Sequence, residues 1–139
     1  MLTVHFYDKV DDALLTFAVI AARHVGKWVF CKHKKRSTYE FPGGRREPHE
    51  ASIDETAKRE LWEETGAREY DLRSVCVYSV KREGAEESYG MLYYADIHSF
   101  DALPPFEIEK IELFDALPEH WTYPLIQPKL LQKIKESLL

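Results

Sequence analysis

The chain has few cysteines, no long apolar run and no excess of positive charge. Cys31 and Cys76 are its two cysteines in 139 residues. They lie far apart, without the paired spacing of a zinc site or a disulfide framework, and read as buried thiols of a cytoplasmic protein. The longest apolar stretch, Ala13 to Ala22, falls well short of the roughly 20 residues a membrane-crossing helix needs. Asp8, Asp11 and Asp12 precede it, where a secretory signal would carry basic residues. Lysine and arginine number 19 against 24 acidic residues, for a formal charge of −5. That balance speaks against binding nucleic acid in bulk or a membrane surface through overall attraction. Glycine and proline are scarce, at six and seven residues, and no internal repeat or low-complexity linker is present.

What is there is the composition of one packed domain spanning residues 1–139: 45% hydrophobic, 13% aromatic and 31% charged. Leu14–Ala22 and Lys27–His33 are rich in strand formers around a polar turn at residues 23–26, the pattern of a hairpin. Thr38–Phe41 is a short extended piece that Pro42-Gly43-Gly44 should stop. A helix is expected over Ile53–Thr65, then strands over Leu72–Lys81, Tyr89–Ile97 and Ile108–Phe114. A closing helix from about Leu125 to Leu138 has Leu130, Leu131, Ile134 and Leu138 at helical spacing. The pattern is α/β, a mixed sheet with two flanking helices.

The middle helix has legible ends. Ser52-Ile53-Asp54-Glu55 is a capping box, and Gly66 stands where a left-handed terminating residue is wanted. Inside it, Glu60, Glu63 and Glu64 share one face of the last two turns. Carboxylates at a helix C-terminus face the negative end of the peptide dipole, each costing about 0.3–1 kcal/mol, and they repel one another. Arg59 offsets part of this if it pairs with Glu55 and Glu63. A solvated acidic face is the plain explanation. The alternative is that a divalent cation turns the repulsion into coordination, and magnesium or manganese suits such hard oxygen donors.

Gly44-Arg45-Arg46-Glu47-Pro48-His49-Glu50 and Arg59-Glu60-Leu61-Trp62-Glu63-Glu64-Thr65-Gly66-Ala67 together resemble the signature of the Nudix hydrolases, G-x5-E-x7-R-E-U-x-E-E-x-G-U with U aliphatic. One departure exists: eight residues, not seven, separate Glu50 from Arg59, which leaves the place of Glu50 open. The resemblance implies an α/β/α sandwich and metal-dependent hydrolysis of a nucleoside diphosphate linked to another group, with Mg2+ or Mn2+ as cofactor. It implies Glu60 and Glu64 as main metal ligands, Glu63 as a ligand or orienter of metal-bound water, the Gly44 carbonyl as a further ligand, and Arg59 as an orienter of these carboxylates. A further acid from outside the signature is expected near a late strand. Glu107 fills that place as added ligand or general base, with Glu109 and Glu112 close by.

For substrate binding the expected residues are Lys32, Lys34 and Arg36 of the basic run Lys32–Arg36, toward phosphates, and Tyr39 and Gln127, toward the base. Lys32–Arg36 also reads plainly as a solvated hairpin tip, and Tyr39 and Phe41 as core. His98 and His120 read as surface residues. With no mark of a narrower subgroup, the resemblance implies a MutT-like nucleoside triphosphate pyrophosphohydrolase, with oxidised purine nucleotides as one substrate class. Enzymes of RNA 5′-ends, nucleotide sugars or dinucleotides are alternatives, as is a Nudix-fold regulatory module without catalysis. A small-molecule nucleotide is the expected partner. Many relatives dimerise, so a homodimer is a further expectation.

Overall fold

The computed structural model describes residues 1–138. Eight strands and two helices are present: β1 (Leu2–Tyr7), β2 (Leu15–His24), β3 (Lys27–His33), β4 (Tyr39–Glu40), β5 (Gly43–Arg45), α1 (Ile53–Thr65), β6 (Ala67–Arg82), β7 (Ser88–Phe100), β8 (Ile108–Phe114) and α2 (Gln127–Leu138). A short 3-10 turn over Asp12–Leu14 leads into β2. The strands form one mixed sheet in the order β1-β6-β7-β2-β3-β4, with β5 paired to β2 and β8 to β3. Among the described strands only β2 and β7 run parallel.

The apolar run of β2 lacks polar alternation because both sheet faces are covered. Ala18, Ile20 and Ala22 pack with Ile53, Ala57 and Leu61 of α1. Val19 and Ala21 pack with Leu130, Leu131 and Ile134 of α2 on the other face. This is the α/β/α sandwich. No described helix is long and apolar enough to cross a membrane.

The β2–β3 hairpin closes through Val25 and Gly26, both at positive φ (44° and 78°), which matches the twist of adjoining strands. β2 then changes partner. Ala22 to His24 pair with β3, whereas Phe17 to Val19 pair with β5. Gly43-Gly44 therefore enters the sheet instead of ending a strand, and the reason is space. A β-carbon on Gly43 would lie 2.3 Å from the Ala18 carbonyl oxygen.

Other expectations shift at their edges. β6 starts at Ala67, directly after α1, because Gly66 at φ 74° turns the chain and its carbonyl accepts the Asp101 N–H at 2.7 Å. α2 starts at Gln127 rather than Leu125. β1, unmarked in the sequence, is added along β6 from Leu2↔Arg82 to Tyr7↔Val77. Both cysteines are buried and free.

Candidate active site

Helix α1 begins and ends where its capping residues require. The Ser52 N–H donates to Glu55 Oε2 at 3.1 Å, and the Gly66 N–H closes on the Trp62 carbonyl at 2.8 Å. Glu55 is thus engaged at the cap, so the expected Arg59–Glu55 pair gives way to a different set. Packing of Ala57 and Leu61 on β2 turns the last two turns of α1 toward β5. Glu60 becomes buried against Gly44, and Glu64 Oε1 accepts the Gly43 N–H at 2.9 Å.

Arg59 gathers the carboxylates. Its Nε donates to Glu50 Oε2 at 2.8 Å and its Nη2 to Glu50 Oε1 at 3.1 Å. Its Nη1 donates to Glu60 and reaches Glu63 at 3.5 Å, and Nη2 also reaches the Arg45 carbonyl at 3.0 Å. Glu50 further accepts the Glu47 N–H at 2.8 Å and the Thr56 hydroxyl at 2.9 Å. The extra residue in the signature therefore leaves Glu50 buried beside Arg59. The guanidinium, more than burial opposes it, holds the Glu50 carboxyl down to about 2.

The helix acids Glu60 and Glu64 shift the opposite way from Glu50. Burial pushes the Glu60 carboxyl up to about 7 against the pull of Arg59, with repulsion from Glu63 and Glu50 adding to the rise. Glu64 is pushed up to about 9 by burial, with Glu60, Glu40 and Glu107 adding repulsion. Two carboxylates that resist ionising beside each other are what a divalent cation would compensate. The donor set therefore fits a hard cation. Among the described residues no ready-made group of three acids, histidines or cysteines converges, so Glu60, Glu63 and Glu64 would have to turn from present partners to hold one.

Glu107 sits at the exposed rim, its Oε2 3.4 Å from His33 Nε2. Its charge acts on Glu64. The expected phosphate and base contacts divide. Lys32 Nζ is occupied by Glu109 at 3.0 Å, and Arg36 by Glu40 at 3.2 Å. Lys34 is exposed, and its N–H bonds the Glu107 carbonyl at 2.9 Å. The Tyr39 hydroxyl donates to Glu112 at 3.2 Å and its ring packs edge-on to Phe114. Gln127 Oε1 accepts the Phe41 N–H at 2.8 Å, and the same side chain lines a cavity of about 290 Å3 with Phe17, Tyr78, Tyr89 and Tyr123.

Two residues of the site went unremarked in the sequence. Arg45 lines that cavity and also an adjoining cleft along Arg46–Glu50, which places a cation between the aromatic pocket and the acids. Its place inside the signature was the available signal. Glu40 is the other: 8% exposed, its carboxyl raised by burial against Arg36. Alternation in Tyr39-Glu40-Phe41 was the clue, since Glu40 pairs with Cys31, whose thiol reaches the Glu64 carbonyl at 3.4 Å.

Comparison with known proteins completes the picture. The NUDIX domain model matches residues 13–132. A Bacillus subtilis (strain 168) protein provisionally named an 8-oxo-dGTP diphosphatase, YtkD, is 36% identical over 129 residues, covering 85% of this chain and 79% of its own. The crystal structure of a glutamate-to-alanine mutant of the Bacillus subtilis pyrophosphohydrolase BsRppH aligns with TM-score 0.80 at 32% identity, over 98% of this chain and 90% of that one. The NUDIX domain of Shewanella oneidensis NrtR, solved with ADP ribose, aligns at 0.69 and 14% identity, over 91% and 90% of the two chains, a likeness of fold alone.

Proposed function

The chain belongs to the Nudix hydrolases, enzymes acting on phosphoric anhydride bonds, and from that premise we propose that it cleaves a nucleoside triphosphate to the monophosphate and pyrophosphate. Oxidised purine nucleotides are the narrower substrate class, in line with the name given to the 36%-identical relative. One observation carries this reading. Arg45 stands at the rim shared by an aromatic-lined cavity and the cleft beside Glu50, with Glu60 and Glu64 packed against the neighbouring glycines.

A base fits the cavity between Phe17, Tyr78 and Tyr123, with the Gln127 amide as its polar contact. Arg45 takes phosphate oxygens, being exposed and without an ion pair among the described residues. Glu60, Glu63 and Glu64 would hold Mg2+ or Mn2+. When bound, such a cation neutralises phosphate oxygens and lowers the pKa of the attacking water. The water oxygen bonds to phosphorus, the bridging oxygen leaves with its electron pair in pyrophosphate, and Glu107 at the solvent rim accepts the proton.

A second reading, a 5′-triphosphorylated RNA end, is favoured by Lys34 and Lys35. Both are exposed beside the rim and could guide a chain beyond its first nucleotide. Release of pyrophosphate and monophosphate is to be measured across nucleoside triphosphates, nucleotide sugars, dinucleotides and triphosphorylated RNA, with and without magnesium. Metal-dependent pyrophosphate from free nucleotides is expected. A salt-sensitive preference for RNA ends transfers the assignment to the second reading. Calorimetric nucleotide binding without product over hours at millimolar magnesium would replace both by a binding module.

A further inference from the structure

The Arg46 side chain, 16% exposed, spends all its donors on the protein. Its Nη2 donates to Asp12 Oδ2 at 2.6 Å and to the Glu50 carbonyl at 3.2 Å. Its Nη1 donates to the carbonyls of Asp12 at 2.8 Å and Leu15 at 3.2 Å, and its Nε to the Glu50 carbonyl at 3.3 Å. A guanidinium has five N–H donors, and five bonds are made. Arg46 therefore has nothing left for a phosphate, although it borders the cleft. Asp12 is equally committed, because its Oδ1 accepts the Ile53 N–H at 3.2 Å at the start of α1.

The connection these residues pin needs pinning. Glu47, Pro48 and His49 ahead of Glu50 are exposed, and the stretch after it, before Arg59, carries one residue more than the Nudix spacing. Beyond the bonds that Glu50 makes to Glu47, its backbone is tied on this side by Arg46. Glu50 in turn makes the two-point bond to Arg59, and Arg59 holds Glu60. We propose that Asp12 and Arg46 are positioning residues for the cation site, a clamp outside the acidic cluster that sets Glu60 through the Glu50 backbone and Arg59. The inference rests on the cation-binding reading of that cluster.

Direct Mn2+ titration by calorimetry or electron paramagnetic resonance, alongside thermal melts of the metal-free protein, tests it without recourse to turnover. Arg46→Lys keeps the charge and loses the fork. Asp12→Asn keeps an oxygen for the Ile53 N–H and loses the ion pair, so it serves if Arg46→Lys fails to fold. Either is expected to weaken Mn2+ binding by about 3- to 10-fold, less than the 10- to 100-fold typical of groups bonded directly to a ligand. Combining Arg46→Lys with Glu50→Gln should add little beyond Glu50→Gln alone, because both act along one path. Unchanged Mn2+ affinity in a folded variant, or full additivity with Glu50→Gln, overturns the clamp. No Mn2+ binding by the unsubstituted protein overturns the reading of the site itself.

Discussion

Gly44 lies so close over the Glu60 carboxylate that a β-carbon at position 44 would stand 2.4 Å from Cδ and 2.6 Å from either oxygen. The hydrogen side chain of residue 44 thus decides where a buried acid of α1 comes to rest, from a strand 16 residues away in sequence.

Gly44→Ala is expected to push Glu60 aside while β5 keeps its pairing to Ala18. Misplacement of a ligand by about 1 Å costs on the order of 100-fold in rate. Metal-stimulated turnover should fall by about that factor, with a smaller loss in melting temperature. Turnover within about twofold of the unsubstituted protein would show that the close approach is irrelevant to catalysis.

Glu64→Gln removes a carboxyl from a half-buried place beside Glu60 while retaining an oxygen for the Gly43 N–H. Metal-dependent activity should be lost. The metal-free protein should melt at the same or a higher temperature near pH 8, because the cost of holding that carboxyl protonated in the folded chain, while it ionises freely in the unfolded one, is gone. Retained activity would remove Glu64 from the catalytic set.

Acid stability should depend on Glu50. Its folded-state carboxyl, lowered to about 2, contributes stability that is fully present above the ordinary carboxylate range near 4.5. That contribution is lost as pH falls toward about 2. Linkage puts it on the order of 3 kcal/mol. Denaturant melts from pH 6 to pH 2 should therefore show a shallower acid limb for Glu50→Gln, and parallel limbs would contradict the Arg59 bond as its cause.

Gln127 carries a structural bond as well as lining the cavity. Gln127→Ala strands the buried Phe41 N–H, a loss of about 1–3 kcal/mol, to be read in chemical denaturation. Gln127→Glu keeps an acceptor for that N–H and should recover most of the stability near pH 4, where its buried carboxyl stays neutral. If the amide also contacts a base, nucleotide affinity stays low in Gln127→Glu after stability returns.

Much of the fold was legible because local signals were strong. The Ser52 box and Gly66 bound α1 at both ends, and two runs of strand formers around a polar turn announced the β2–β3 hairpin. The β1 strand was not, since Leu2–Tyr7 has no turn signal of its own and is ordered by its pairing with β6. Pro42-Gly43-Gly44 was misleading for a physical reason. Glycine weakens a strand in general, yet here it alone allows β5 to pass the Ala18 carbonyl and the Glu60 carboxylate.

For the site, spacing on one helix was enough to put Glu60, Glu63 and Glu64 on a common face and to mark that face as costly without a cation. A helical period says nothing about what lies opposite. Glu55 at the cap and Arg36 on Glu40 are local pairs, three and four residues apart, whereas Lys32 on Glu109 and Arg46 on Asp12 are contacts between segments remote in sequence. They depend on how β2 divides its edge between β3 and β5. Local chemistry thus determined which groups carry charge and where the helix stops, because those are properties of a few adjacent residues. Only the packed sheet decided which of these charges meet, because burial and pairing distances exist solely between parts of the chain that folding brings together.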